Sequence, residues 1–229
     1  MMIWRTAGAL LFAGAAQAAE PVKQIPIYVE PFYSSRVPGE APRVAVGQRF
    51  NALLASSRRV DILAVRDMVV ADPKIVTPMT MMVLAVRLYD VGERDEAVFW
   101  FYVAKDRTVI LTGVATPNAR PIAQAVEAVI AFANLAGPYI NGYAYCDFKN
   151  QQAIRRRALD RVAANPYQAM FLQQIPARSE DRSALAAQEL RRLRDNAGKE
   201  AAYLEDTKTR EEFYATRKQN EMEAKFCWS

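Results

Sequence analysis

The sequence predicts an all-α protein: an irregular helical bundle with an extended N-terminal arm and a long C-terminal helix. Three observations predict it. From Arg49 onward, apolar side chains recur at three- and four-residue spacing through most of the chain. Helix breakers such as Asp72-Pro73, Gly92, Gly137-Pro138 and Asn165-Pro166 fall where those stripes end. The composition, 52 % hydrophobic and 24 % charged over 229 residues, supplies enough apolar surface for a core.

Residues 1–18 have the pattern of a secretory signal peptide: Arg5, an apolar run from Ala7 to Ala16, and Ala16-Gln17-Ala18 at the cleavage point. The run is shorter than the ~20 apolar residues of a spanning helix, and no later stretch reaches that length. Export, most simply to the periplasm, is the expected location. Loss of Arg5 with this segment lowers the formal net charge from +5 to +4. Residues 19–48 are too rich in proline for a long helix and read as an extended arm across the body. Ile25, Ile27 and Val29 alternate as in a short edge strand.

The helical domain is expected over residues 49–176. "FNALLASS" and "VDILAVRDMVVAD" read as two short helices. Thr77-Pro78 supplies an N-cap before a proline at the first helical position. The following stretch, "LAVRLYDVGERDEAVFWFYVAK" (Leu84–Lys105), is two helices joined at Gly92. Met81, Leu84, Ala85 and Leu88 share one face of the first. Ala97, Phe101 and Ala104 form the facing stripe of the second.

Those residues resemble one tetratricopeptide or Sel1-like repeat over about residues 78–111. Leu84-Ala85, Tyr89, Gly92, Ala97, Phe101 and Ala104 stand at signature positions. The pattern departs at two of them: Met81 holds the leading tryptophan position, and Val109 stands near the closing proline. The resemblance covers about one 34-residue unit, with no second copy at that period. It implies protein or peptide recognition, with Met79, Met82, Val86, Tyr89 and Asp90 lining the binding side of the first helix.

"RPIAQAVEAVIAFANLAG" reads as a helix from Pro121 to Ala136, apolar nearly all round and so central. The next is expected to start at Gly137-Pro138 and close at Asn165-Pro166. Ser179 is the expected N-cap of the C-terminal segment, residues 177–229. That segment reads as one long charged helix, with Leu190, Leu193, Ala197, Ala201 and Leu204 on its packed stripe and a kink near Gly198. An oligomer through this helix is one role for it.

The chain has no histidine, which excludes Ser-His-Asp and Cys-His nucleophile systems and histidine-containing zinc sites. No metal or cofactor is expected. The two cysteines, Cys146 and Cys227, are expected to pair in an oxidising compartment. "AGPYINGYAY" is similar to a stretch of lytic transglycosylases, but the Glu-Ser catalytic dipeptide of that family does not occur here. Glu93, Asp95 and Glu96 open a helix, where its dipole favours negative charge. Arg155-Arg156-Arg157 splay around a helix and form either a solvated face or a contact for an acidic partner. The expected function is binding of another protein, as an adaptor or an immunity-type protein, with no catalysis and no nucleic acid. The alternatives are a carboxylate-dependent enzyme of cell-wall glycan and an envelope assembly protein.

Overall fold

The computed structural model describes residues 19–26, 47–116 and 120–228. The signal-peptide segment, most of the proline-rich arm and two residues of the expected edge strand, Ile27 and Val29, lie outside these. The described fold is all-α. Its helices are α1 (Asn51–Leu54), α2 (Arg59–Ala71), α3 (Pro78–Asp90), α4 (Arg94–Val114), α5 (Arg120–Ala144), α6 (Phe148–Ala164), α7 (Arg182–Glu205), α8 (Thr207–Gln219) and α9 (Met222–Phe226).

The centre of the bundle is α3, not α5. Every residue from Pro78 to Tyr89 except Arg87 is buried. The helix starts where Thr77 Oγ1 accepts from Thr80 N, and Pro78 follows with no N–H to satisfy. It ends at Gly92, whose φ of +86° suits a residue without Cβ. Glu93 N then donates back to Leu88 O at 2.8 Å. α4 returns antiparallel and packs more extensively on α3 than any other pair of helices in the fold. Trp100, Phe101, Val103 and Ala104 of α4 are all buried.

α5 was expected to be central because it is apolar nearly all round. It buries only one face, through Val129, Phe132, Ala136 and Ile140, while Ile130 and Leu135 stay 51 % and 59 % exposed. It also runs through Pro138 instead of ending there. Proline at 138 withholds a hydrogen bond from the carbonyl four residues back, at Asn134. Both residues lie on the exposed face, so water takes that bond. The break falls after Ala144, and Asp147 caps α6 by accepting from Asn150 N at 3.0 Å.

The expected single C-terminal helix is three helices. α7 continues straight through Gly198, and the break comes at Asp206. There the Asp206 carboxylate accepts from Thr209 N at 2.8 Å and starts α8 as a new N-cap. A second turn, with Glu221 at φ +56°, sends α9 back toward α5. The N-cap of α7 is Asp181 rather than Ser179; Asp181 Oδ1 accepts from Ala184 N at 2.8 Å.

The chain ends are tied together. Cys146, just past α5, is bonded to Cys227. The ring of Phe226 lies where a Cβ on Gly142 would sit, at 2.7–2.8 Å. Arg94 stacks between the rings of Tyr143 and Trp228, 4.4 and 3.9 Å from their centroids, and donates to the carbonyls of Phe226 and Trp228. Residues 19–26 lie extended against this end of the molecule. Val22 N donates to Lys225 O at 2.8 Å, Tyr89 Oη to Val22 O at 3.1 Å, and Ile25 N to Asp90 Oδ1 at 2.9 Å. Ile25 is buried, so docking is apolar as well as polar.

Candidate functional site

The five residues assigned to a binding side of α3 do not line an open face. Met79, Met82, Val86 and Tyr89 are buried. Asp90 is half-buried and already accepts from Ile25 N and from Arg87. The reason is packing: α3 is apolar on all sides and meets α2, α4 and α5 at once. Its C-terminal end is covered by the chain's own N-terminal segment.

The acidic group at the hairpin turn is dispersed as well. Glu93 pairs with Arg59, Asp95 accepts from Tyr143 Oη and the Asn150 amide, and Glu96 lies 3.5 Å from Arg157. Tyr139 stacks edge-on with Phe226. Gly137, Tyr139, Gly142 and Tyr143 of "AGPYINGYAY" therefore serve the packing of α5 on α4 and α9, while Tyr145 turns toward α7 and α8.

α6 is different. It carries Lys149, Arg155, Arg156, Arg157 and Arg161 against Asp160 alone, a net +4. That equals the formal net charge of the whole chain after Ala18, so the rest of that chain is neutral in sum. The three consecutive arginines point to three places. Arg155 turns inward and forms an ion pair with buried Asp106. Arg157 lies over the Phe99 ring at 5.0 Å, beside Glu96. Arg156 is exposed, and Lys149, two turns earlier on the same face, is exposed too.

An open cavity flanks α6 on each side. One, of about 370 Å³, lies between α6 and α7, with Leu159 and Ala197 in its apolar wall and Arg155, Arg156 and Arg194 around it. The other, of about 320 Å³, lies toward α2 and α4, where Arg66, Arg157 and Arg161 meet Phe99 and Trp100. Both fall in the size range of ligand and side-chain pockets, roughly 300–1,000 Å³.

Beneath the α6/α7 groove is a smaller polar chamber of about 140 Å³. Tyr145 Oη donates to Glu200 Oε1, and the Gln151 amide donates to Tyr102 Oη at 3.2 Å. Burial pushes the Tyr102 phenol up to about 12. Burial, then the hydrogen bond to Glu200, raises Tyr145 further. Lys105 lies exposed at the mouth, and the protein crowded around its ammonium, then Arg155, holds it below the usual lysine range.

Asp106 is raised by burial, against the opposing pull of Arg155. Asp90 is raised by burial too, against its bonds from Ile25 N and Arg87. Both folded carboxyls hold their protons more readily than in the unfolded chain. The folded state therefore binds more protons from about 3.8 up to each raised value, and stability falls as pH rises through that window. Asp106→Asn is expected to flatten this slope, read as unfolding free energy in urea from pH 7 down to about pH 4. A slope unchanged by the substitution would remove Asp106 from the account.

In the sequence, Arg155 stands out in the arginine run and Asn141 and Tyr145 fall in "AGPYINGYAY", but nothing there brings them together with Tyr102, Asp106 and Glu200. The chamber's members come from α4, from α5 and the turn after it, from α6 and from α7, and only the spacings within Tyr102, Lys105 and Asp106 and between Asn141 and Tyr145 are local. Among the described residues, no helix is long and apolar enough to cross a membrane. The molecule is thus an all-α, disulfide-closed protein with one basic helix between two open cavities.

Among known proteins, the chain is similar to an uncharacterized protein of Haemophilus influenzae. The two are 31 % identical over 210 residues, 91 % of this chain and 81 % of the relative. The chain belongs to the same family as that protein. No family model matches it. No solved structure matches it either.

Proposed function

We propose that the protein is exported to the periplasm and works there by binding another protein, presenting α6 to an acidic face of its partner. The observation that carries this reading is the concentration of the whole net charge of the exported chain on one helix, beside two open cavities. Complementary charge speeds encounter and fixes register, and arginine beside aromatic rings supplies contact energy. The Cys146–Cys227 bond suits an oxidising compartment. The repeat-like α3–α4 hairpin acts in this reading as the scaffold that holds α6, and an adaptor or an immunity-type role is compatible with it.

One observation favours a second reading, a carboxylate enzyme of glycan: Asp106 is buried beside a cavity and its carboxyl is raised. Two features weigh against it. Arg155 holds Asp106 in an ion pair. The chamber's 140 Å³ is less than half of the roughly 300 Å³ at which ligand pockets begin, and a sugar chain needs more.

A photo-reactive residue at position 156 tests the binding site in cells. Covalent adducts to a second protein are expected from position 156. They are not expected from position 203, where Tyr203 is 65 % exposed on α7. Adducts from 203 alone would refute the placement on α6.

A further inference from the structure

We propose that the chamber between α4, α5, α6 and α7 binds a small zwitterion of the amino-acid type, its apolar side chain lying out along the α6/α7 groove. The site does not depend on the protein-binding reading.

Two cations, Lys105 and Arg155, and two carboxylates, Asp106 and Glu200, face one chamber, so their formal charges cancel. A ligand of zero net charge preserves that balance. Their bonds to each other use only part of their capacity. Arg155 donates to Asp106 Oδ2, and no described hydrogen bond uses Oδ1. Tyr145 and Gln151 both donate to Glu200 Oε1, and none uses Oε2. The opposite valence is open as well: among the described residues neither Lys105 Nζ nor the Asn141 amide, both in the chamber wall, donates to a protein acceptor.

An ammonium has three donors and no acceptor, and a carboxylate is acceptor-only. The first fits Glu200 Oε2 and Asp106 Oδ1. The second fits Lys105 Nζ and Asn141 Nδ2, with charge-assisted bonds at both ends. The chamber's 140 Å³ holds the charged head of an amino acid. Arg155 and Glu200 are walls of the larger groove too, so the two spaces are neighbours, and Leu159, Ala197 and Ala201 give the groove an apolar wall for the side chain. Burial displaces the proton affinities of four groups around this one chamber, Tyr102, Tyr145, Lys105 and Asp106, a pattern that binding centres share with buried ion-pair networks.

Calorimetric titration of the exported chain, disulfide intact, tests the proposal with L-leucine, 4-methylpentanoate (no ammonium) and isopentylamine (no carboxylate). L-leucine is expected to give a saturable isotherm, and each truncated analogue to bind at least about tenfold more weakly, because it forfeits the charge-assisted bonds at one end of the site. Lys105→Met and Glu200→Gln are each expected to weaken L-leucine binding about tenfold. Lys105 is exposed, so its variant folds, and equal melting temperatures check both. No isotherm with L-leucine or any other proteinogenic amino acid at about 10 mM, well above a millimolar dissociation constant, overturns the proposal. So does 4-methylpentanoate or isopentylamine binding as tightly as the amino acid, or L-leucine binding that both variants retain in full.

Discussion

The double replacement Cys146→Ser/Cys227→Ser is expected to cost about 4–5 kcal/mol of folding stability, measured as urea unfolding of the chain after Ala18. The bond closes a loop of 81 positions, and in the chain-entropy model a loop of that length restricts the unfolded ensemble by roughly that amount. The local consequences are specific. α9 is a five-residue helix that cannot hold itself, and its anchors are the disulfide, the Phe226 ring against Gly142 and the Arg94 clamp. Arg217, 5 % exposed, donates to Gly142 O at 3.0 Å and lies 3.5 Å from Cys227 Sγ, so release of the bond also loosens a buried cation. The N-terminal segment bonds to Lys225 O, and faster proteolysis there is expected in the variant. A loss below about 1 kcal/mol would show that the bond follows folding without supporting it.

Arg107→Met is expected to cost about 3–5 kcal/mol, because it strands three carbonyl acceptors at about 1–3 kcal/mol each where they stay buried. Arg107 is 1 % exposed on α4. Its guanidinium donates to Pro73 O at 2.6 Å, Val76 O at 2.8 Å and Asn165 O at 3.0 Å. One side chain thereby satisfies carbonyls of the turn before α3 and of the end of α6. Burial pulls its pKa down to about 10, which still leaves it charged at neutral pH. Methionine fills a similar volume but leaves all three acceptors dry. Arg107→Lys keeps the charge without the planar fork and is expected to recover only part of the loss. Unfolding by chemical denaturant measures both, and a change below about 1 kcal/mol in Arg107→Met would mean that water replaces the guanidinium at no cost.

The elements legible in the sequence are those whose cause is local. Thr77-Pro78 and Gly92 mark the ends of α3 because a cap and a left-handed turn need only neighbouring residues. Cysteine pairing was legible from the even count and from the expectation of export. Ser179 and Asp181 are both competent caps, and which one leads depends on how the chain leaves the bridge between Ala115 and Ala177. Asp206 broke the C-terminal helix where the apolar stripe lapsed at "EDTKTREE", whereas the nearby glycine did not. Pro138 was misleading because an exposed helix face tolerates a missing donor.

The candidate site was less legible. The splay of Arg155, Arg156 and Arg157 follows from helical geometry, but their partners, Asp106 and Glu96, lie 49 and 61 positions away in sequence. The same holds for Arg107 and Arg94, whose acceptors are mostly backbone carbonyls that carry no sequence signal. The resemblance to a repeat unit pointed to α3 as a recognition face. The same apolar residues that created the resemblance bury that helix in the core.

The central claim is that a partner binds α6 through charge. It is tested most directly by the affinity of the chain after Ala18 for the protein cross-linked from position 156, compared with Lys149→Glu/Arg156→Glu. These two exposed residues share one helix face, so the change leaves the core untouched. The account predicts an affinity at least about tenfold weaker in the double variant, and binding by the unaltered chain that weakens as salt is raised. Equal affinity of both chains, with no dependence on salt, would contradict it.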